Sequence, residues 1–310
     1  MTTQTEPPGQ SAAARTARAL RPTLFTGEFR PVGTGEPYEH FDLVPRSRLI
    51  GAEVRGIDLA EGPTTEVVDE LKRALLEWKV LFFRDQRLTA RQQAGLARSW
   101  GELEDHPFLP KAEIPEVVRL EHDASHPGTE NIWHSDVSFR ATPPMGSILR
   151  AVEVPEIGGD TLWADMTAAY EGLPEDVRDR IDGLTALHEI PTVAEDARGE
   201  VAKNIRAARA RTKPVEHPVV RTHPDTGRKI LYVNAVFTTA IAGVPEAESN
   251  SLLDMLFRQA EHPEYQVRFQ WEPGAIAFWD NRATQHYAVS DYYPDFRLME
   301  RVTIIGDRPF

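Results

Sequence analysis

The chain switches repeatedly between two hydrophobic periods. Apolar residues at Val67, Val68, Leu71, Leu75 and Trp78 follow the spacing of one helix face, with Pro63 and Thr64 or Thr65 opening the helix and an end near Lys79. Val80-Leu81-Phe82-Phe83 follows at once as an apolar run of buried-strand length, and Thr89 is placed to cap a second helix that stops at Gly101. Helical spacing returns from about Met166 to Leu184 and from Glu246 to His262, where Leu252, Leu253, Leu256 and Phe257 make one stripe.

Strand patterning marks Leu49–Leu59, Ile148–Val152 and the Thr161-Leu162-Trp163 run after the Gly158-Gly159 turn. Val219–His223 and Ile230–Val233 flank Pro224-Asp225-Thr226-Gly227, a hairpin signature. Gln266–Trp271, Ala275–Trp279, Thr284–Ala288 and Arg297–Ile305 read as further strands. This strand-rich C-terminal half has no βαβ rhythm, which predicts an α+β fold with a double-stranded β-helix (jelly-roll) core and flanking helices. Two stretches fit neither period. Residues 1–23 read as a flexible N-terminal tail with Ala12–Leu20 as a candidate helix, and the polar run 194–213 reads as a solvated helix or loop, or as a lid within 186–214. Residues 24–310 are expected to form a single domain.

Composition narrows the partners. The 35 Lys and Arg against 48 Asp and Glu give a net charge of −13, which argues against a nucleic-acid or anionic-membrane partner. A small anionic substrate remains compatible, because a local arginine cluster can sit in an acidic protein. The absence of cysteine excludes disulfides, a thiolate nucleophile and a thiolate metal site, and fits a reducing cytoplasm. No apolar run reaches membrane-span length, and the N-terminus has no apolar core of a secretory signal.

The chemistry concentrates in Trp133-His134-Ser135-Asp136-Val137-Ser138-Phe139. His134 and Asp136 are two residues apart, so in an extended strand both side chains leave the same face and can converge on one metal. An imidazole and a carboxylate with a second imidazole make a facial triad suited to iron, and His286 is the candidate third ligand. Arg297 lies eleven positions beyond, across a strand, a turn and a returning strand, and arginine suits bidentate capture of a carboxylate.

From about Arg48 onward the chain resembles the iron(II)/2-oxoglutarate-dependent taurine dioxygenase (TauD/TfdA) family. The resemblance rests on five blocks in the family's order: His106-Pro107, Trp133 to Val137, Gly158 to Trp163, His217 to Pro224, and Trp279 to Arg301. It implies Fe(II) held by His134, Asp136 and His286, and 2-oxoglutarate held by Arg297 with the Thr161 hydroxyl. It also implies O2 as oxidant, with 2-oxoglutarate decarboxylated to succinate while a substrate C–H bond is hydroxylated. No further catalytic acid or base is assigned. His106, Asn131, Phe237 and Arg301 match substrate positions, with His106 and Arg301 gripping a sulfonate in the taurine enzymes. Leu109 stands where those enzymes carry a tyrosine, which makes the pocket more apolar. The expected substrate is therefore an alkyl sulfonate or alkyl sulfate ahead of taurine, converted to an aldehyde plus sulfite or sulfate. The alternatives are a tailoring oxygenase for a carboxylated or phosphorylated intermediate, and a non-catalytic jelly-roll binding protein. Homo-oligomerisation is also expected from the family.

Overall fold

The computed structural model describes residues 35–106, 109–128, 130–192 and 200–310. The tail expected over 1–23, with its candidate helix, and residues 193–199 of the expected lid lie outside them. Strands β1 (Asp42–Pro45) and β2 (Ala52–Arg55) form an antiparallel pair. Thr64 then caps α1 (Thr65–Trp78) by accepting from the Val67 N–H, and the helix buries Val68, Leu71, Leu75 and Trp78. Lys79 ends it in the left-handed region at φ 63, and its ammonium forms a buried ion pair with Asp165 at 3.0 Å. The chain passes directly into β3 (Val80–Phe83), as expected.

A full capping box between Thr89 and Gln92 starts α2 (Ala90–Ala97). This helix ends at Ala97 instead of Gly101, the last residues continuing as turns. Next come β4 (Val117–His122), β5 (Gly146–Glu153) and β6 (Thr161–Asp165). The helix expected over Met166–Leu184 is two, α3 (Met166–Glu171) and α4 (Glu175–Ile181). Pro174 at the cap of the second is the reason, since its ring bars the preceding residue from the helical region.

β7 (Thr185–His188) takes residues 186–188 out of the expected lid and puts them in the middle of a small sheet. α5 (Glu200–Arg211) follows, then β8 (Val215–Pro218), β9 (Val220–Thr222), β10 (Lys229–Leu231) and β11 (Thr238–Ile241). β9 and β10 pair as the expected hairpin. α6 (Glu246–Phe257) carries the leucine stripe but tightens into 3-10 turns before His262. The chain closes with β12 (Gln266–Phe269), β13 (Ile276–Asp280), β14 (Thr284–Ala288) and β15 (Arg297–Ile304).

The large sheet runs β1-β2-β3-β13-β5-β15-β4 and is antiparallel except between β2 and β3. A second sheet, β12-β6-β14, packs against it. Alternation along β3 explains both faces: Val80 and Phe82 point into the space between the sheets, while Leu81 and Phe83 meet α1 and α2. Between the sheets Phe82 stacks on Phe269 at 4.3 Å, and Trp163 sits against Phe82, Trp271 and Trp279. Burial of side chains this large contributes about 2–3 kcal/mol each. Gly51, at φ 83, has no room for a side chain, because a Cβ would lie 2.9 Å from Val267. The result is the expected α+β fold dominated by sheets. No helix among the described residues is long and apolar enough to cross a membrane.

Candidate metal centre and active site

β14 delivers His286 at its centre, where it pairs with Trp163 of β6. On its other side β14 meets the His134 stretch through an isolated bridge, not through a full strand. The His134 N–H donates to the His286 carbonyl (3.1 Å) and the His286 N–H donates back to the His134 carbonyl (2.8 Å). The two rings are thereby held with centroids 4.2 Å apart. Beyond His134 the chain does not stay extended as expected. It turns at Asp136, and Val137 adopts φ 45.

That turn still brings the carboxylate to the imidazoles. Asp136 Oδ1 lies 3.9 Å from Nε2 of His134 and 3.9 Å from Nε2 of His286. One ligand atom from each residue falls within a 4.8 Å span, so the three could hold a metal ion. The His134 Nδ1–H donates to the Ile132 carbonyl at 2.7 Å, which orients the ring with Nε2 toward Asp136. Burial, reinforced by His134, pushes His286 down to about 3, so its ring is neutral at ordinary pH. Burial alone would raise Asp136, but Arg301 and then the two histidines hold it down to about 2. Two imidazoles and one carboxylate form a donor set that fits Fe(II).

The surroundings fix this geometry. Arg301 Nη1 donates to Asp136 Oδ1 at 3.0 Å, and the Ser147 hydroxyl reaches Oδ2 at 3.4 Å. The Asn281 carboxamide accepts from the Asp136 N–H at 2.7 Å and donates to the Asp136 carbonyl at 3.1 Å. Two residues on, Ser138 Oγ contacts Nδ1 of the fully buried His188 at 3.0 Å and accepts from Asn234 at 3.0 Å. Burial and neighbouring His217 push His188 down to about 3. Phe237 stands edge-on to His134 and tilts against Phe139, forming an apolar wall.

Arg297 and Arg301 occupy one face of β15, as strand alternation predicts. Their environments differ. Arg297 is 4 % exposed, makes no ion pair among the described residues, and its Nε has no partner. Its one hydrogen bond, to the Gly159 carbonyl, is long at 3.5 Å, and the Tyr292 ring lies 5.7 Å below the guanidinium. Gly159, at φ 69, permits this approach, since a Cβ would lie 3.3 Å from the arginine Nε. Thr161 follows two residues later; its hydroxyl accepts from Trp271 Nε1 at 3.0 Å, leaving its own proton to donate.

His106 is half-buried, and burial followed by Arg301, Arg140 and Lys111 lowers it to about 4. Each of those three cations is itself paired with a carboxylate: Arg301 with Asp136, Arg140 with Glu104 and Lys111 with Asp105. The structure therefore gathers His134, Asp136, His286, Arg301, Phe237 and His106 around one point, with Arg297 and Thr161 beside the Gly159 turn. Asn131, three residues before His134, is exposed. Sequence reasoning also missed Asn281, Ser147 and Tyr292. The sole signal for Asn281 was a polar Asp280-Asn281-Arg282 step at the end of an apolar strand.

Such a triad beside an unpaired buried guanidinium defines a class, the mononuclear non-heme iron oxygenases. The chain belongs to the taurine catabolism dioxygenase TauD, TfdA family, whose pattern matches residues 39–303. It is 39 % identical over 274 residues to the alpha-ketoglutarate-dependent sulfate ester dioxygenase of Pseudomonas putida, covering 86 % of this chain and 90 % of that one. It is 36 % identical to the alkylsulfatase of Acinetobacter baylyi, covering 87 % of each. A solved taurine dioxygenase from Burkholderia xenovorans superposes with a TM-score of 0.75 at 38 % identity, over 87 % of this chain and 91 % of that one. The protein is thus an α-ketoglutarate-dependent dioxygenase, requiring Fe(II), α-ketoglutarate (2-oxoglutarate) and O2.

Proposed function

We propose that this dioxygenase cleaves small alkyl sulfate esters, with alkyl sulfonates as the neighbouring class and taurine behind both. His134, Asp136 and His286 would hold Fe(II), which when bound supplies the oxidising chemistry. Arg297 and Thr161 would hold the carboxylate of 2-oxoglutarate remote from the metal. The observation that carries this reading is Arg297, a buried cation without an anion, on the same strand face as the arginine that holds Asp136. A desolvated guanidinium is costly unless a carboxylate pairs with it, and 2-oxoglutarate brings one.

Arg301, His106 and the nearby Arg140 would receive the substrate anion, while Phe237, Phe139 and Leu109 would line its alkyl chain. Hydroxylation of the carbon bearing the ester oxygen gives an unstable adduct. Its collapse breaks the C–O bond and releases an aldehyde and sulfate. Two resemblances support the ester over the sulfonate: the sulfate ester dioxygenase and the alkylsulfatase. Asn131, being exposed, is dropped from the substrate set. The two facing sheets are read as the halves of a jelly roll, and residues 24–310 as one catalytic domain.

The test is anaerobic. Fe(II) and 2-oxoglutarate added to metal-free protein should give a weak visible charge-transfer band, and an alkyl sulfate should shift it. Admission of O2 should then yield succinate, aldehyde and sulfate in equal amounts. Turnover of sulfonates or taurine in preference to every sulfate ester would reassign the substrate, and a missing band would remove the iron assignment.

A further inference from the structure

The bend after Asp136 is unusual. Val137 is β-branched and sits at φ 45, where an L-residue with a branched side chain does not rest unaided. This bend decides where the Asp136 carboxylate points. The side chain that grips it comes from far along the sequence. Asn281 Oδ1 accepts from the Asp136 N–H (2.7 Å), while its Nδ2 donates to the carbonyls of Asp136 (3.1 Å) and Pro144 (3.3 Å). Asn281 is completely buried, and its own N–H donates to the Met145 carbonyl at 2.9 Å.

The residues on either side of Asn281 keep it in place. Arg282 grips Asp280 through Nε (2.9 Å) and Nη2 (2.7 Å), and His223 Nε2 contacts the same carboxylate at 3.0 Å. His223 Nδ1 accepts from the N–H groups of Asp225 and Thr226, so its proton sits on Nε2 and is donated to Asp280. The carboxamide therefore stands on a fixed, fully bonded turn.

We propose that Asn281 is a positioning residue for the metal centre: it holds the Asp136 main chain in the strained bend that aims Oδ1 at the two imidazoles. This rests on the metal reading above and adds a residue that touches neither metal nor substrate. Asn281→Ala should weaken Co(II) binding to the metal-free protein between about 10- and 100-fold, measured by calorimetry and by the cobalt absorption bands. Leu256→Ala, in the separate apolar cluster under α6, should lower thermal stability while leaving the cobalt affinity at the wild-type value. In a Val137→Gly background, where glycine takes the bend without strain, loss of Asn281 should cost less affinity than in the wild type.

If Asn281→Ala does not fold, Asn281→Ser is measured in its place. Wild-type cobalt affinity in the folded Asn281 variant would overturn the proposal, as would an equal loss in Leu256→Ala. Failure of the wild-type protein to bind cobalt would instead overturn the metal reading, and this inference with it.

Discussion

The two ends of the site are built on opposite plans. At the metal end, Asp136 is bonded by Arg301 and Ser147 through its side chain and by Asn281 through its main chain. Four residues along β15, Arg297 is equally buried, yet among the described residues it has one long hydrogen bond and no anion. The first end is finished before any ligand arrives. The second is left incomplete, and on the proposed reading the binding energy of an entering carboxylate would be collected where the protein has held a cation out of water. On the proposed reading, preorganisation governs the metal end and deferred pairing the cosubstrate end.

The largest effect should come from removing the carboxylate both histidines face. Asp136→Ala should abolish turnover and cobalt binding while leaving the fold intact by circular dichroism; measurable turnover would break the contrast at its metal end. Next, Arg297→Met should raise the 2-oxoglutarate KM by about 100-fold, the worth of two charge-assisted hydrogen bonds. The same variant should make the ligand-free protein more stable by about 1–3 kcal/mol in urea unfolding, because a desolvated cation is gone. A destabilised Arg297→Met would mean the guanidinium is already satisfied.

Arg301→Ala should weaken the alkyl sulfate about 10- to 100-fold with nearly unchanged 2-oxoglutarate affinity, as judged by the charge-transfer titration. Equal loss of both would merge the two ends into one anion site. The effect that vanishes at neutral pH concerns the backing of the metal end. His188 is held near 3 when folded but titrates near 6.5 when unfolded. Below pH 6.5 the unfolded chain therefore binds the extra proton, so stability falls as pH drops from about 6.5 toward 3. His188→Gln should flatten that slope by up to about 1.4 kcal/mol per pH unit.

Much of this was legible along the chain, for local reasons. The caps at Thr64 and Thr89, the alternation that puts Arg297 and Arg301 on one face, and the nearness of His134 to Asp136 each depend on a few consecutive residues. The bend at Val137 does not. Valine carries no signal for φ 45, and the groups that hold it there, Asn281 above all, are remote in sequence. His134 and Asp136 do converge as anticipated, but through a turn and not along an extended strand. The break between α3 and α4 was readable from Pro174, but the continuing apolar period masked it. The openness of Arg297 was hidden too, because Asp291, Asp295 and Glu300 lie close in sequence, yet Asp291 binds the Gly159 N–H and Glu300 pairs with Arg150.

The reciprocal bridge between His134 and His286 also constrains how the molecule is made. Beside it, the Ser135 hydroxyl donates to the carbonyl of Thr284, 149 positions away. Closing a loop of that size is slow and entropically costly, and no fragment that ends before Thr284 contains both sides of the contact. On the proposed metal reading, a growing chain carries two of the three ligands, His134 and Asp136, long before His286 is made. The site then closes only once Thr284–Ala288 has joined the sheet beside His134, so the metal would be captured by tertiary structure and not by any local segment.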